Sequence, residues 1–325
     1  MKALILGVRG QDASLLSEHL LNKDYTVVGT IRRASCHEHH NLEKSLTYPN
    51  FHLEYGDITD AGCMSGLISK YQPDEIYVLA AQSHVQVSFT NPIATFESNT
   101  MGFLNVLEAA RIYSPNSSIL FAATSEQFGD QVNERGMQDE NTLMNPRSPY
   151  GVSKLASYKL AHVYRESYDM KISCSICFNH ESERRGLNFV TMKVADYVAH
   201  RIADPKWRKP LTLYNLHSYR DWISAHDVVK AMSAIIHLND DFVVASGKTR
   251  SITELLNVAF SYPGINPDWS TCVEIAENNR PLEVPMLCGD STKLHEATGW
   301  KPTISFRDMI FGMIKSRVDY HKQTH

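Results

Sequence analysis

The chain carries a tyrosine and a lysine four residues apart, in Tyr150-Gly-Val-Ser-Lys154, and a run of two hydroxyls and a carboxylate upstream, Thr124-Ser125-Glu126. Residues i and i+4 share one face of a helix. A lysine ammonium in that position favours the phenolate and is expected to lower the tyrosine pKa from its ordinary value of about 10. Tyr150 then suits the removal of a hydroxyl proton while hydride leaves the same carbon. Glu126 points to more than alcohol oxidation, because in a closed, partly dry site a carboxylate pKa rises and the group can act as base and then acid. A sugar oxidised to a 4-ketone has an acidified C5 proton. Glu126 can remove it, water can leave from C6, and hydride can return to C6.

These residues need a scaffold that gathers distant loops. Apolar runs predict strands at Ala3–Leu6, Tyr25–Ile31, Phe51–Tyr55, Glu75–Ala80, Ser118–Ala122 and Lys171–Phe178. Helical spacing predicts helices at Ala13–Leu21, Cys63–Tyr71, Ile93–Tyr113 and Tyr150–Tyr168. This alternation implies an α/β fold, a Rossmann-type doubly wound parallel sheet whose ligands sit at the carboxyl ends of the strands. Beyond residue 180 the rhythm breaks. Phe189–Ile202 and Asp221–Leu238 read as helices, Phe242–Ser246 as a strand, and prolines punctuate the tail. The expected organisation is a dinucleotide-binding domain over 1–180, with 214–250 returning to it, and a smaller, interleaved C-terminal substrate-binding region formed by 181–213 and 251–325.

Gly7, Gly10 and Ala13 stand after the first strand with the spacing that lets a pyrophosphate approach a helix N-terminus. An NAD site usually has an acidic residue at the end of the second strand, to bind the ribose 2′-hydroxyl. Here Arg32 and Arg33 stand there, and an arginine pairs with a 2′-phosphate instead. Arg9, inside the glycine turn, adds a cation. The expected cofactor is NADP, with Asp57 placed to accept a hydrogen bond from the adenine amino group.

Composition excludes several classes. The 325 residues are 43% hydrophobic, and 32 basic residues against 36 acidic ones leave a net charge of −4, so nothing points to nucleic acid or an anionic membrane surface. No apolar run reaches the roughly 20 residues of a membrane helix. The six cysteines have no framework spacing, which suggests a reducing cytoplasm. Cys36-His37-Glu38-His39-His40 reads as a surface tract, and the proposed chemistry needs no metal. Cys174 and Cys177 read as core packing, because residues three apart on a strand face opposite sides.

Gly10-Gln-Asp12, Ile31-Arg-Arg33, Tyr55-Gly-Asp-Ile-Thr-Asp60, Ala81-Gln-Ser-His-Val85, Ala123-Thr-Ser-Glu126, Pro146-Arg-Ser-Pro-Tyr-Gly151, Phe178-Asn-His-Glu-Ser182 and Arg184-Arg-Gly186 form a set. With Asn188-Phe-Val-Thr191, Arg220-Asp-Trp222, Arg280-Pro-Leu-Glu-Val284 and Trp300-Lys-Pro302, it resembles the extended short-chain dehydrogenase/reductase family, and within it the GDP-mannose 4,6-dehydratases, over nearly the whole chain. The resemblance implies a catalytic set of Thr124, Glu126, Tyr150 and Lys154. The cofactor residues drawn from motif and resemblance together are Gly7, Arg9, Gly10, Gln11, Asp12, Arg32, Arg33, Asp57, Ile58, Leu79, Ala81, Ser83, Tyr150, Lys154, His180 and Arg185. Those for the nucleotide sugar are Ser83, Thr124, Ser125, Asn179, Lys193, Arg220, Arg280 and Glu283. The implied substrate is GDP-mannose or a related GDP-sugar, and the implied assembly a homodimer or homotetramer. The chain departs from the family pattern at Arg9, Ala13, Glu183, Leu187 and Met192, and in the segment after Arg33. A GDP-heptose dehydratase, a 4-epimerase, a 4-keto reductase and a catalytically silent NADP-binding regulator stay open as alternatives.

Overall fold

A computed structural model describes residues 1–33, 40–265, 268–276, 282 and 284–324. The first half alternates as the periodicity requires. Strand β1 (Lys2–Leu6) feeds helix α1 (Gln11–Leu21), β2 (Thr26–Ile31) leads through a loop to β3 (Phe51–Tyr55), and α2 (Ala61–Tyr71) precedes β4 (Glu75–Val78). Short helices α3 (Val85–Thr90) and α4 (Pro92–Phe96) then run through a π turn, Glu97–Met101, into α5 (Gly102–Tyr113). After β5 (Ser118–Thr124) comes α6 (Pro149–Tyr168), then β6 (Ile172–Cys177) and β7 (Asn179–Glu181). The remainder is α7 (Val190–Ala203), β8 (Leu211–Leu213), β9 (Tyr219–Ser224), α8 (Ala225–Ile235), β10 (Asp241–Val244), β11 (Thr249–Ser251), α9 (Ile252–Ala259), β12 (Val273–Ile275), α10 (Thr292–Thr298) and α11 (Phe306–Thr324).

Seven strands form one parallel sheet in the order β10-β6-β5-β4-β1-β2-β3. Sequence order reverses between β1 and β4, the position where a doubly wound sheet opens a crevice at its carboxyl edge. Helices cover both faces, so the central strands are apolar throughout rather than alternating. One core packs α2, α5 and α6 against the sheet through residues such as Phe103, Phe121 and Tyr158. A second packs α1 and α8 on the other face through Leu16, Val228 and Met232. A third, around Val198, Leu255 and Ile310, joins α7, α9 and α11 with β8 outside the main sheet. Cys174 belongs to the first core and Cys177 to the second, opposite faces of one strand as expected.

Two expectations need correction. Asp221–Leu238 is not one helix: β9 occupies Tyr219–Ser224 and pairs with β7 and β11 before α8 begins. Ser224 starts that helix, its side chain accepting from His226 N. Nor is Ile93–Tyr113 a uniform helix, because Asn91 precedes a proline-started α4 and Glu97–Met101 winds as a π turn. The metal-like tract lies outside the described residues except for His40, which pairs with Glu43 on the surface.

Candidate active site

The carboxyl ends of the strands enclose a cleft of about 1190 Å³. A single small-molecule site is typically about 300–1,000 Å³, so this cleft has room for more than one ligand. Every residue named from the sequence for catalysis, cofactor or nucleotide sugar lines it except Arg33, Arg280 and Glu283. Arg33 is exposed at the end of β2, and Arg280 and Glu283 lie outside the described residues.

At one end, Gly7 adopts φ +85, a left-handed conformation that favours glycine, and a Cβ there would stand 2.9 Å from Ala80 Cα. Gly10 precedes α1 with extended backbone and no side-chain cap, so the helix begins with outward-facing N–H groups suited to an anion. Beside it, Arg9 donates to the Arg32 carbonyl at 3.5 Å, and Asn41 holds the Arg9 carbonyl at 3.0 Å. The two arginines are thereby neighbours at the end of β2, where an NAD site would place a carboxylate. Asp57 Oδ1 accepts from both Thr59 N and Thr59 Oγ1, which fixes its carboxylate in the turn after β3.

Gln11 reaches across the cleft floor, donating to the His180 carbonyl at 3.1 Å and accepting from Ser182 Oγ at 2.9 Å. Asp12 Oδ2 stands 2.7 Å from His180 Nε2. These contacts join the start of α1 to β7. Arg185, in the following loop, stacks on the Phe189 ring at 3.5 Å and pairs with Glu181 at 3.0 Å. Asn179, Lys193 and Arg220 line the outer part of the cleft, and Asn179 Oδ1 is buried with no hydrogen-bond partner in the protein.

The candidate catalytic residues line the same cleft. Thr124 ends β5 and caps the short turn that carries Glu126, its Oγ1 accepting from Glu126 N at 3.3 Å. Ser148 and Pro149 start α6, with Gly151 N donating to Ser148 Oγ at 3.0 Å. A Cβ at Gly151 would stand 2.8 Å from the Glu126 carbonyl oxygen, so the glycine lets α6 press Tyr150 onto the Thr124–Glu126 turn. Tyr150, Lys154, Thr124 and Glu126 are all buried.

The tyrosine is not activated as the i,i+4 spacing suggests. Burial pushes its pKa above the ordinary value, a hydrogen bond with Thr124 works against that, and the Glu126 charge adds to the rise. Lys154 instead donates to the Ala122 carbonyl at 2.6 Å and lies 4.7 Å from the Phe121 ring centroid. Burial brings its own pKa down to about 8.

Sequence reading also missed Asn99. Its side chain accepts from Gln82 N at 2.8 Å and donates to the Gln82 carbonyl and to Ser153 Oγ, both at 3.0 Å. Its own carbonyl accepts from Ser157 Oγ at 3.0 Å. The π turn thus ties the loop after β4 to the helix that carries Tyr150 and Lys154. An asparagine inside an apolar helical pattern was the available signal.

Comparison with known proteins gives a consistent result. A protein-family profile described as GDP-mannose 4,6 dehydratase matches residues 4–313. The chain is 40% identical to GDP-mannose 4,6 dehydratase 2 of Arabidopsis thaliana, covering 99% of this chain and 88% of that protein. It is 36% identical to GDP-mannose 4,6 dehydratase of Homo sapiens, covering 98% and 91%. Among solved structures, Thermus thermophilus UDP-glucose 4-epimerase in complex with NAD superposes with a TM-score of 0.86 at 25% identity, covering 98% of this chain and 99% of that one.

Proposed function

The chain belongs to the GDP-mannose 4,6-dehydratase family, and on that premise we propose that it converts GDP-mannose to GDP-4-keto-6-deoxymannose with NADP as its cofactor. The observation that carries the reading is the burial of Glu126 beside Thr124 and Tyr150 in one cleft. The cofactor end fits NADP: a glycine cradle that a Cβ would fill, an open helix N-terminus, and Arg9 with Arg32 where a 2′-phosphate must lie. Held by these residues, NADP would supply a hydride acceptor for C4 and a hydride donor for C6, so the cycle would be redox-neutral.

The chain's own residues handle protons. Tyr150 accepts the C4 hydroxyl proton, with Thr124 holding the same oxygen. Lys154 would supply positive charge to the ribose of a bound cofactor and would favour the Tyr150 phenolate that takes up this proton. Glu126 removes the C5 proton acidified by the new ketone and passes it to the C6 hydroxyl, which leaves as water; the proton held by Tyr150 then goes to C5 as hydride returns to C6, which balances the cycle. Asn179, Lys193 and Arg220 hold the nucleotide sugar, their amide and cationic groups matching a diphosphate and ribose. The dinucleotide domain comprises residues 1–180 and 214–250, and the sugar-binding region the rest.

A 4-epimerase, like the Thermus relative in fold, needs no base at C5, and Glu126 favours the dehydratase over it. Purified protein mixed with GDP-mannose decides the matter through product mass and cofactor redox state. Loss of one water without net cofactor consumption is expected. Stoichiometric NADPH consumption with a reduced product would make it a reductase, and absence of turnover on any GDP-sugar would refute the reading.

The assembly we assign is a homodimer or homotetramer built on α5 and α6, whose surfaces expose Ile112, Val152, Val163 and Tyr168. Light scattering after gel filtration measures it. The compartment we assign is the cytoplasm, in keeping with free thiols at Cys63, Cys174, Cys177, Cys272 and Cys288. Among the described residues, no helix is long and apolar enough to cross a membrane.

A further inference from the structure

Asp12 presents an electrostatic problem. It stands in the first turn of the helix whose open N–H groups would face the diphosphate of a bound dinucleotide. A bare carboxylate there would compete with the very anion the helix is placed to receive. The structure answers it with His180, whose Nε2 lies 2.7 Å from Asp12 Oδ2.

The other ring nitrogen fixes the protonation state. His180 Nδ1 lies 2.6 Å from the Phe178 carbonyl oxygen, which can only accept, so Nδ1 carries a proton. In a neutral ring Nε2 would then be a bare acceptor facing a carboxylate oxygen, and the 2.7 Å contact would have no hydrogen in it. Both contacts are satisfied only when a proton lies between Nε2 and Asp12. Burial opposes the charged forms, but the partners outweigh it, raising the imidazole pKa and lowering that of the carboxyl. The pair is an imidazolium with a carboxylate, and its net charge is zero.

Resting on the reading of the cleft as an NADP site, we propose that the Asp12–His180 pair makes cofactor affinity depend on pH. Protonated, it is a neutral floor beneath the diphosphate and a tie between α1 and β7. Deprotonated, it leaves the Asp12 charge uncompensated in the first turn of α1 and loses the hydrogen bond that joins the two elements. The sign follows from the raised imidazole: the tight-binding form prevails below the folded pKa of His180 and is lost as pH rises through it.

The other groups that act on this pair are few. Arg185, in the loop after β7, disfavours the imidazolium and favours the carboxylate. Lys154, from α6, feels the Asp12 charge and its pKa is brought down to about 8, so among the described residues it is the neighbour able to imitate the effect. Cys177, from β6, is pushed up to about 12 and stays neutral across the useful range. Gln11 donates to Asp12 Oδ1 at 3.0 Å and does not titrate.

Asp12→Asn separates these sources. An asparagine amide can donate to the Nε2 of a neutral ring, which keeps the geometry and removes the charge. The measurement is NADPH affinity of the full-length protein, by quenching or enhancement of the nicotinamide fluorescence, between about pH 7 and pH 10. That range lies above the second phosphate pKa of about 6, so the 2′-phosphate keeps its charge. Circular dichroism at each pH confirms that the protein is folded. The wild type is expected to lose affinity about tenfold or more across the range, Asp12→Asn to vary less than about twofold, and Lys154→Met to keep the slope. A flat wild-type profile, an unchanged slope in Asp12→Asn, or a slope abolished by Lys154→Met alone would overturn the inference while leaving the NADP site standing. Failure of the wild type to bind NADPH at any pH would remove both. Ring ¹⁵N shifts of His180 provide a second readout: two protonated nitrogens are expected at neutral pH, and a single protonated nitrogen would overturn the assignment.

Discussion

Two aspartates, Asp241 buried and Asp12 partly buried, sit at opposite ends of the same sheet, each 2.7 Å from a histidine Nε2. At the amino end, Asp241 opens β10 and is saturated by side chains. Tyr158 and His162 meet Oδ2 at 2.8 and 2.7 Å, and Arg165 meets Oδ1 at 2.7 Å. At the carboxyl end, Asp12 has His180 and Gln11 and lines the cleft. The first cluster holds α6 against the sheet and leaves nothing for a ligand. The second is arranged around a space that something else must enter. An Asp–His contact therefore says little by itself; what the other polar groups are left to do separates a structural site from one open to a ligand.

The largest effect should come from the working end. Glu126→Gln should lower turnover by about 10²–10⁴, the range of a general acid–base, with NADPH affinity retained. It should also lower the Tyr150 pKa by removing a repelling charge, which tyrosinate absorbance can follow. Unchanged turnover would take Glu126 out of the mechanism.

Asp241→Asn comes next and tests the opposite end. Its carboxyl is held well below the ordinary range, burial being outweighed by His162, Arg165 and Tyr158. That stabilisation is fully present above the unfolded carboxylate pKa and is lost as pH falls through the folded one. The variant should be about 3 kcal/mol less stable in urea, the cost of breaking a buried pair, with NADPH affinity unchanged at temperatures where it folds. A loss of affinity in the folded variant would erase the distinction between the two ends.

Catalytic pH dependence should follow. Because Lys154 is brought down to about 8, its ammonium prevails below that pH and is lost above it. The kcat/KM profile should fall on the alkaline side of about 8, and Lys154→Arg should remove that limb whatever activity it keeps. The smallest contrast is between adjacent arginines. Arg32→Ala should weaken NADPH binding roughly tenfold relative to NADH, whereas Arg33→Ala should change it less than about twofold. Equal losses would place Arg33 in the site.

The candidate catalytic residues were legible because their signals are local. A four-residue spacing on a helix, a glycine turn after a strand and a hydroxyl–carboxylate run at a strand end require no knowledge of distant chain. The first six strands were legible for the same reason, as apolar runs bounded by turns. β9 was not, because Arg220 and Asp221 interrupt its apolar character. Their presence makes sense only once Asp221 is seen accepting from Ser246 N, Ser246 Oγ and Gly247 N at the turn before β11. The direction of Lys154 was equally hidden: spacing puts it on the Tyr150 face, but the Ala122 carbonyl that holds it belongs to another element. Burial of Tyr150, which reverses the expected pKa shift, is likewise a property of the assembled cleft.

The π turn at Glu97–Met101 has a consequence for tolerance to length change. Each i→i+5 bond encloses one residue more than the α-helical bond it replaces. Deleting one residue there would allow an uninterrupted α-helix, a change that local propensity would accept. The flanking helices would keep roughly the same faces, because the wider turn absorbs its extra residue, and the part redrawn would be the turn itself, with Asn99 at its centre. Asn99 could no longer face Gln82 and Ser153 together. The shorter chain would keep its secondary structure and lose the tie between the loop after β4 and α6, so at this turn the count of residues matters as much as their identity.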